Sequence, residues 1–163
     1  MVIVVMGPAG SGKSTVGTAL AAQVGWRFVD ADDFHPPANL AKMARGEPLT
    51  DADRAGWLTT LHDMIAHAAG RRESLVLACS ALTAAHRGRL VGDVRQIRFA
   101  YLKCSPAVLR TRLETRQNHV AKSVLLDSQL ATLEEPTADS ALIIDGEAPV
   151  DTIVEHIRLE CGV

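Results

Sequence analysis

The feature that most constrains this chain is the run Gly7-Pro8-Ala9-Gly10-Ser11-Gly12-Lys13-Ser14-Thr15. It has the spacing G-x-x-x-x-G-K-[ST], and it lies between the apolar run Val2-Ile3-Val4-Val5-Met6 and a stretch patterned as a helix from about Lys13 to Val24. The glycines allow the backbone to curl so that successive N–H groups face a row of phosphates, and the amino end of the following helix adds positive potential. Lys13 has the reach for β- and γ-phosphates, and the Ser14 hydroxyl is placed to ligate Mg²⁺. A strand, this loop and a helix in that order predict a nucleotide-phosphate site.

The rest of the chain alternates short apolar runs with longer helical patterns. Further strands are predicted at 27–30, 75–79, about 97–104 and 141–144,. Gly25 stops the first helix. Pro36-Pro37 opens a short helix through Met43 that Gly46 closes,. Thr50 and Asp53 have the spacing of a capping box for a helix with Trp57, Leu58, Leu61, Ile65 and Ala68 on one face,. Ser105-Pro106 starts a helix through Arg116, and the polar stretch 117–122 precedes another that ends by Pro136. A closing helix turns Val150, Ile153, Val154 and Ile157 inward. Five strands with intervening helices imply an α/β fold, a five-stranded parallel sheet with helices on both faces. At 163 residues, without a repeat or linker, the expectation is one domain over 1–163,.

Composition narrows the classes of partner. Hydrophobic residues make up 47% and charged residues 22%, the proportions of an ordinary globular chain,. Seventeen Lys and Arg against 19 Asp and Glu leave no basic excess for nucleic acid or an acidic membrane, and 4% aromatics speak against stacking platforms for single strands,. Cys79, Cys104 and Cys161 are odd in number and form no CxxC pair, which fits a reducing cytoplasm,. No run approaches the length of a membrane span, and no signal peptide is visible at the start,.

Asp30-Ala31-Asp32-Asp33-Phe34-His35 leaves the carboxyl end of the second predicted strand, where open α/β sheets bind ligands,. Read as an extended segment, it projects Asp30 and Asp32 to the same side. Two such carboxylates could divide the work of positioning an acceptor hydroxyl and balancing Mg²⁺. After the third strand, where many NTPases carry an acidic metal ligand, the sequence is Cys79-Ser80-Ala81, and there is no Asn-Lys-x-Asp guanine reader. His62, His67 and His156 read as surface or packing residues, and Met6, Met43 and Met64 as core.

With these segments in hand, the chain resembles the gluconokinase family of small P-loop kinases, related in fold to shikimate and nucleoside monophosphate kinases. The resemblance is carried by GPAGSGKST at 7–15, FVDADDFHPPANLAKM at 28–43, GEPLTDADRAGWL at 46–58, CSAL at 79–82, Arg112 through Arg116 with His119, and LLDSQLATLEEP at 125–136. It implies a three-layer P-loop fold with a lid at about 116–127, and ATP-dependent phosphorylation of D-gluconate to 6-phospho-D-gluconate with Mg²⁺, usually in a homodimer. It also implies that Gly7, Ala9, Gly10, Ser11, Gly12, Lys13, Ser14 and Thr15 hold ATP, with Arg112 and Arg116 closing over it. Ser14 and Asp30 would serve the metal. Asp32 would orient or deprotonate the 6-hydroxyl, with Lys13 as its catalytic partner. Asp32, His35, Arg54, Arg87 and His119 would face the sugar acid.

The sequence departs from the family pattern in places. Thr83 follows CSAL where Lys is usual, so that charge would have to come from Arg87 or Arg89. The lid pattern Arg-x-Gly-His-Phe appears as Arg116-Gln117-Asn118-His119-Val120, and Gly56 stands where Pro is usual. On the P-loop alone, another small-molecule kinase of this fold, or a noncatalytic ATP-binding protein with a degraded lid, remains an alternative reading.

Overall fold

The computed structural model describes residues 1–114 and 119–163, and the side chains of all of these except 119–123. Its five strands are β1 (Val2–Met6), β2 (Arg27–Asp30), β3 (Leu75–Cys79), β4 (Ile97–Lys103) and β5 (Leu142–Asp145). They form one parallel sheet in the order β2-β3-β1-β4-β5. The described helices are α1 (Lys13–Val24), α2 (Pro37–Ala44), α3 (Asp51–Gly70), α4 (Ala84–Val91), α5 (Pro106–Glu114), α6 (His119–Thr132) and α7 (Val150–Cys161).

The central strand explains the layering. All five residues of β1 are buried, and alternation sends Val2, Val4 and Met6 to one face and Ile3 and Val5 to the other,. The first face packs on the stripe Trp57, Leu58, Leu61, Ile65 and Ala68 of α3, the set expected from its spacing. The second packs on Val16 and Leu20 of α1 and on Ile153, Val154 and Ile157 of α7. Gly17 lets α1 lie close to the sheet, because a Cβ there would stand 2.7 Å from Phe28 Cε2. Burial of strands on both faces accounts for their continuous apolar runs. Among the described residues no helix is long and apolar enough to cross a membrane.

Between β3 and β4 the chain passes over β1, so successive connections leave the sheet on opposite sides of the central strand. Their carboxyl ends border a crevice there, the usual ligand position in open parallel sheets. The loop after β1 and the turns after β2 and β3 all open onto it.

The structure corrects two expectations and adds an element to a third stretch. Residues Ala31–Phe34 form a 3₁₀ turn capped by Asp30, whose carboxylate accepts from the Asp32 N–H at 3.1 Å, so this segment is not extended. Met43 is only half-buried and lines the crevice instead of entering the core. The helix α4 fills a stretch with no assigned element, and Thr83 caps it by accepting the His86 N–H at 3.1 Å.

Candidate active site

The loop between β1 and α1 takes the shape its glycines permit. Gly10 has φ 84°, and a Cβ there would lie 3.0 Å from the Leu109 carbonyl; at Gly7, one would meet Ser11 Oγ at 2.7 Å. Lys13 Nζ donates to the Pro8 carbonyl at 3.1 Å, bending the side chain back over the loop. Ser11 is buried, whereas Ser14 and Thr15 are exposed on the first turn of α1. Gly12 is the N-cap of that helix.

The acidic end of β2 meets this loop. Ser14 Oγ donates to Asp30 Oδ2 at 2.6 Å, so an alcohol and a carboxylate oxygen stand together at the phosphate end of α1. That donor set suits a small hard cation such as Mg²⁺, which takes one or two protein oxygens and fills its remaining positions with water and phosphate. Among the described residues no group of three or more His, Cys, Asp and Glu forms a metal cluster. Cys79, at the end of β3, is buried, and burial pushes its thiol up to about 12, so it carries no thiolate at neutral pH.

On one side of the loop a cavity of about 350 Å³ brings together Lys13, Asp32, His35 and Arg54, with Ser14 and Gly10 at its edge. The Asp32 side chain keeps 65% of its surface accessible from the cavity. The enclosing cleft walls nevertheless raise its pKa above the ordinary carboxylate value; Lys13 opposes that shift, and Asp30 adds to it,. His35 is buried and stacks on Trp57 with ring centroids 4.2 Å apart. Burial is the largest influence on its pKa and lowers it, Asp32 opposes, and Arg54 reinforces the lowering. Arg54 reaches the cavity from the first turns of α3. Its guanidinium donates to the Leu49 carbonyl at 2.6 Å and lies 3.9 Å from Asp51.

On the other side of the loop, sharing Gly10, a second cavity of about 280 Å³ is bordered by Gly12, Thr15, Arg112 and Gly146. Arg112 Nη1 donates to the Gly146 carbonyl at 3.0 Å and to the Ser11 carbonyl at 3.4 Å, tying α5 to the loop and to the segment after β5.

Not every expected residue reaches these cavities. Arg87 donates to the carbonyls of Ala81 and Leu82 at 3.1 and 3.2 Å and does not line the cavity that holds Asp32. Arg89 donates to the Ala55 carbonyl at 3.3 Å and does not line that cavity either. The turn that Arg87 holds is unusual, with Ala81 at φ 44° and the Glu134 N–H also donating to Leu82 O. Arg116, Asn118 and the side chains of His119 and Val120 lie outside the described residues.

Three residues that were not singled out in the sequence for the site adjoin this cavity: Trp57 lines it, as does Gln129, whose Oε1 accepts the Ala9 N–H at 2.7 Å, and Asn39 lies directly behind His35, while Ser80 and Leu82 of the CSAL segment line it too. The signal for Asn39 was its place four residues after His35, a polar side chain on a short helix that is nonetheless 3% exposed.

Comparison with known proteins identifies the family of the chain. A family model described as an AAA domain matches residues 2–136. The gluconokinase of Gluconobacter oxydans (strain 621H) is 45% identical over 156 residues, covering 95% of this chain and 88% of the relative. A gluconokinase structure from Sinorhizobium meliloti 1021 superposes with a TM-score of 0.87 at 39% identity, covering 98% of this chain and 90% of that one. A sugar kinase from Janibacter sp. HTCC2649 superposes with a TM-score of 0.90 at 36% identity, covering 97% and 92%. With two cavities flanking a phosphate loop, an acid and an imidazole lining one of them, and relatives matched along nearly its whole length, this chain belongs to the gluconokinase family of P-loop kinases.

Proposed function

We propose that the protein transfers the γ-phosphoryl group of ATP to the 6-hydroxyl of D-gluconate, giving 6-phospho-D-gluconate. One observation carries the reading: Lys13, Asp32, His35 and Arg54 line a single cavity that opens on the phosphate loop. An anionic, polyhydroxylated acceptor needs a cation for its carboxylate and oxygen or imidazole groups for its hydroxyls, and this cavity supplies both.

In this mechanism Arg54 holds the sugar-acid carboxylate, and Asp32 orients the 6-hydroxyl and takes its proton. The freed oxygen bonds to the γ-phosphorus as the bond to the β–γ bridging oxygen breaks and ADP departs. Lys13 neutralises charge on the moving group. Ser14 and Asp30 are the residues to hold Mg²⁺, which when bound offsets charge on the phosphate oxygens. Gly7 to Thr15 cradle the phosphates, and Arg112 borders the nucleoside side. Arg87 supports the turn that carries Ser80 to the cavity. Arg116, His119 and the segment 116–127 act as a lid that excludes water, which would otherwise compete as acceptor. The family resemblance supports a homodimer, checked by light scattering, and the free cysteines fit a reducing cytoplasm,.

The test is ADP release by the purified protein with Mg·ATP. Gluconate is compared with no acceptor, gluconate stereoisomers, shikimate and nucleoside monophosphates. Gluconate-dependent release is expected; ATP binding with no release on any acceptor overturns the assignment.

A further inference from the structure

Asn39 Nδ2 makes two contacts, at 2.9 Å to the main-chain oxygen of Asp53 and at 3.3 Å to His35 Nδ1. A backbone carbonyl can only accept, so the atom of Asn39 that faces it must be the amide nitrogen; turning the amide over would press two oxygens together. One amide hydrogen therefore goes to Asp53, and the other is aimed at His35 Nδ1. A protonated Nδ1 would set two donors against each other, so Nδ1 must be the acceptor. In a neutral imidazole the proton then resides on Nε2.

The ring has little freedom to escape this arrangement. It lies against Trp57 with an interplanar angle of 15°, and Trp57 is itself pinned by its Nε1–H, which donates to the Ala31 carbonyl at 2.8 Å. The opposite edge of the imidazole faces the cavity, with Nε2 3.9 Å from Asp32 Oδ1. That separation is too long for a hydrogen bond, so neither group uses up the other's capacity. Among the described residues, the charged groups facing the ring are Asp32 from the 3₁₀ turn and Arg54 from α3.

We propose that Asn39 is a positioning residue that fixes His35 as the neutral Nε2–H tautomer, so that His35 offers the acceptor a hydrogen-bond donor and leaves the role of base to Asp32. An acceptor oxygen between the two groups can accept from His35 while its own proton is directed to Asp32. The acceptor half of this proposal rests on the kinase reading of the cavity; the tautomer half does not.

Long-range ¹H–¹⁵N NMR of the histidine-labelled full chain at neutral pH reads the tautomer directly, with His35→Gln identifying the signal. Protonated Nε2 with unprotonated Nδ1 is expected; an Nδ1–H tautomer or an imidazolium overturns the proposal. This spectrum requires neither a folded Asn39 variant nor turnover, so a protein inactive on gluconate would sink the kinase reading without deciding the tautomer. In Asn39→Asp a carboxylate replaces the amide and favours a protonated Nδ1. The His35 titration midpoint should rise by roughly one pH unit or more. The gluconate KM should rise about tenfold with the ATP KM unchanged, as for loss of one acceptor-side hydrogen bond. A midpoint that stays where it was, or an unaltered gluconate KM, overturns the proposal.

Discussion

Gln129 Oε1 accepts the Ala9 main-chain N–H at 2.7 Å, fastening α6 to the phosphate loop from 120 residues further along the chain. Both residues line the acceptor-side cavity, so the contact sets the distance between the loop and the helix that walls the cavity. Gln129→Leu keeps a half-buried side chain of similar size and removes the acceptor. We expect kcat to fall about tenfold, through misplacement of the reacting groups, with little change in thermal stability. Steady-state assays at saturating ATP and gluconate check this, and an unchanged kcat would refute the coupling.

Asp32 should show its role in both rate and stability. Its pKa is raised above 3.8 mainly by enclosure in the cleft. The base is lost as pH falls through that raised value, so the acid limb of kcat should lie above the ordinary aspartate range. Asp32→Asn should lower kcat on the order of a thousandfold, with the ATP KM little altered. A raised carboxyl pKa also means that ionised Asp32 disfavours the folded state at neutral pH. The Asn variant should therefore melt no lower than the parent; a variant that turns over normally removes Asp32 from the mechanism.

The opposite sign holds at Asp53. Lys42 Nζ lies 2.8 Å from its carboxylate, and together with the Thr50 cap it holds the Asp53 pKa down to about 2. A depressed folded-state pKa adds stability that is present above the unfolded value of 3.8 and lost as pH falls toward 2,. Urea unfolding across that window should show the loss, and Asp53→Asn should flatten it.

Thr83 stands where relatives in the resemblance carry lysine, and its hydroxyl caps α4. Thr83→Ala should cost about 1 kcal/mol in denaturant unfolding, the usual magnitude for a lost N-cap. It should leave kcat unaltered, since Thr83 does not line the acceptor-side cavity. A large fall in kcat without loss of stability would place it in the chemistry.

Most of the sheet and its helices could be read from the chain because strands buried on both faces leave unbroken apolar runs, and because Thr50 and Asp53 mark the start of α3 by a local hydrogen-bond pattern,. The helix α4 escaped for a physical reason. It has eight residues, carries Gly88 in its interior, and buries His86 with Leu90, so an imidazole bonded to Asp51 occupies a position where periodicity looks for an aliphatic group. The Asp30 and Asp32 pair was located, but not its geometry, since a carboxylate capping its own 3₁₀ turn looks the same in sequence as one on a strand. Arg54 and Arg87 could not be told apart, because what separates them is which carbonyls their guanidinium groups find. Asn39 and Gln129 act through partners that only the fold brings near.

The chain has two tryptophans, and the fold sets them at opposite ends of the sheet. Trp26 immediately precedes β2 at its amino end, whereas Trp57 lies flat on His35 in the wall of the cavity that holds Asp32. An imidazolium quenches indole emission more strongly than neutral imidazole does. The molecule thus carries an indole placed to report the charge on His35, at the opposite end of the sheet from Trp26.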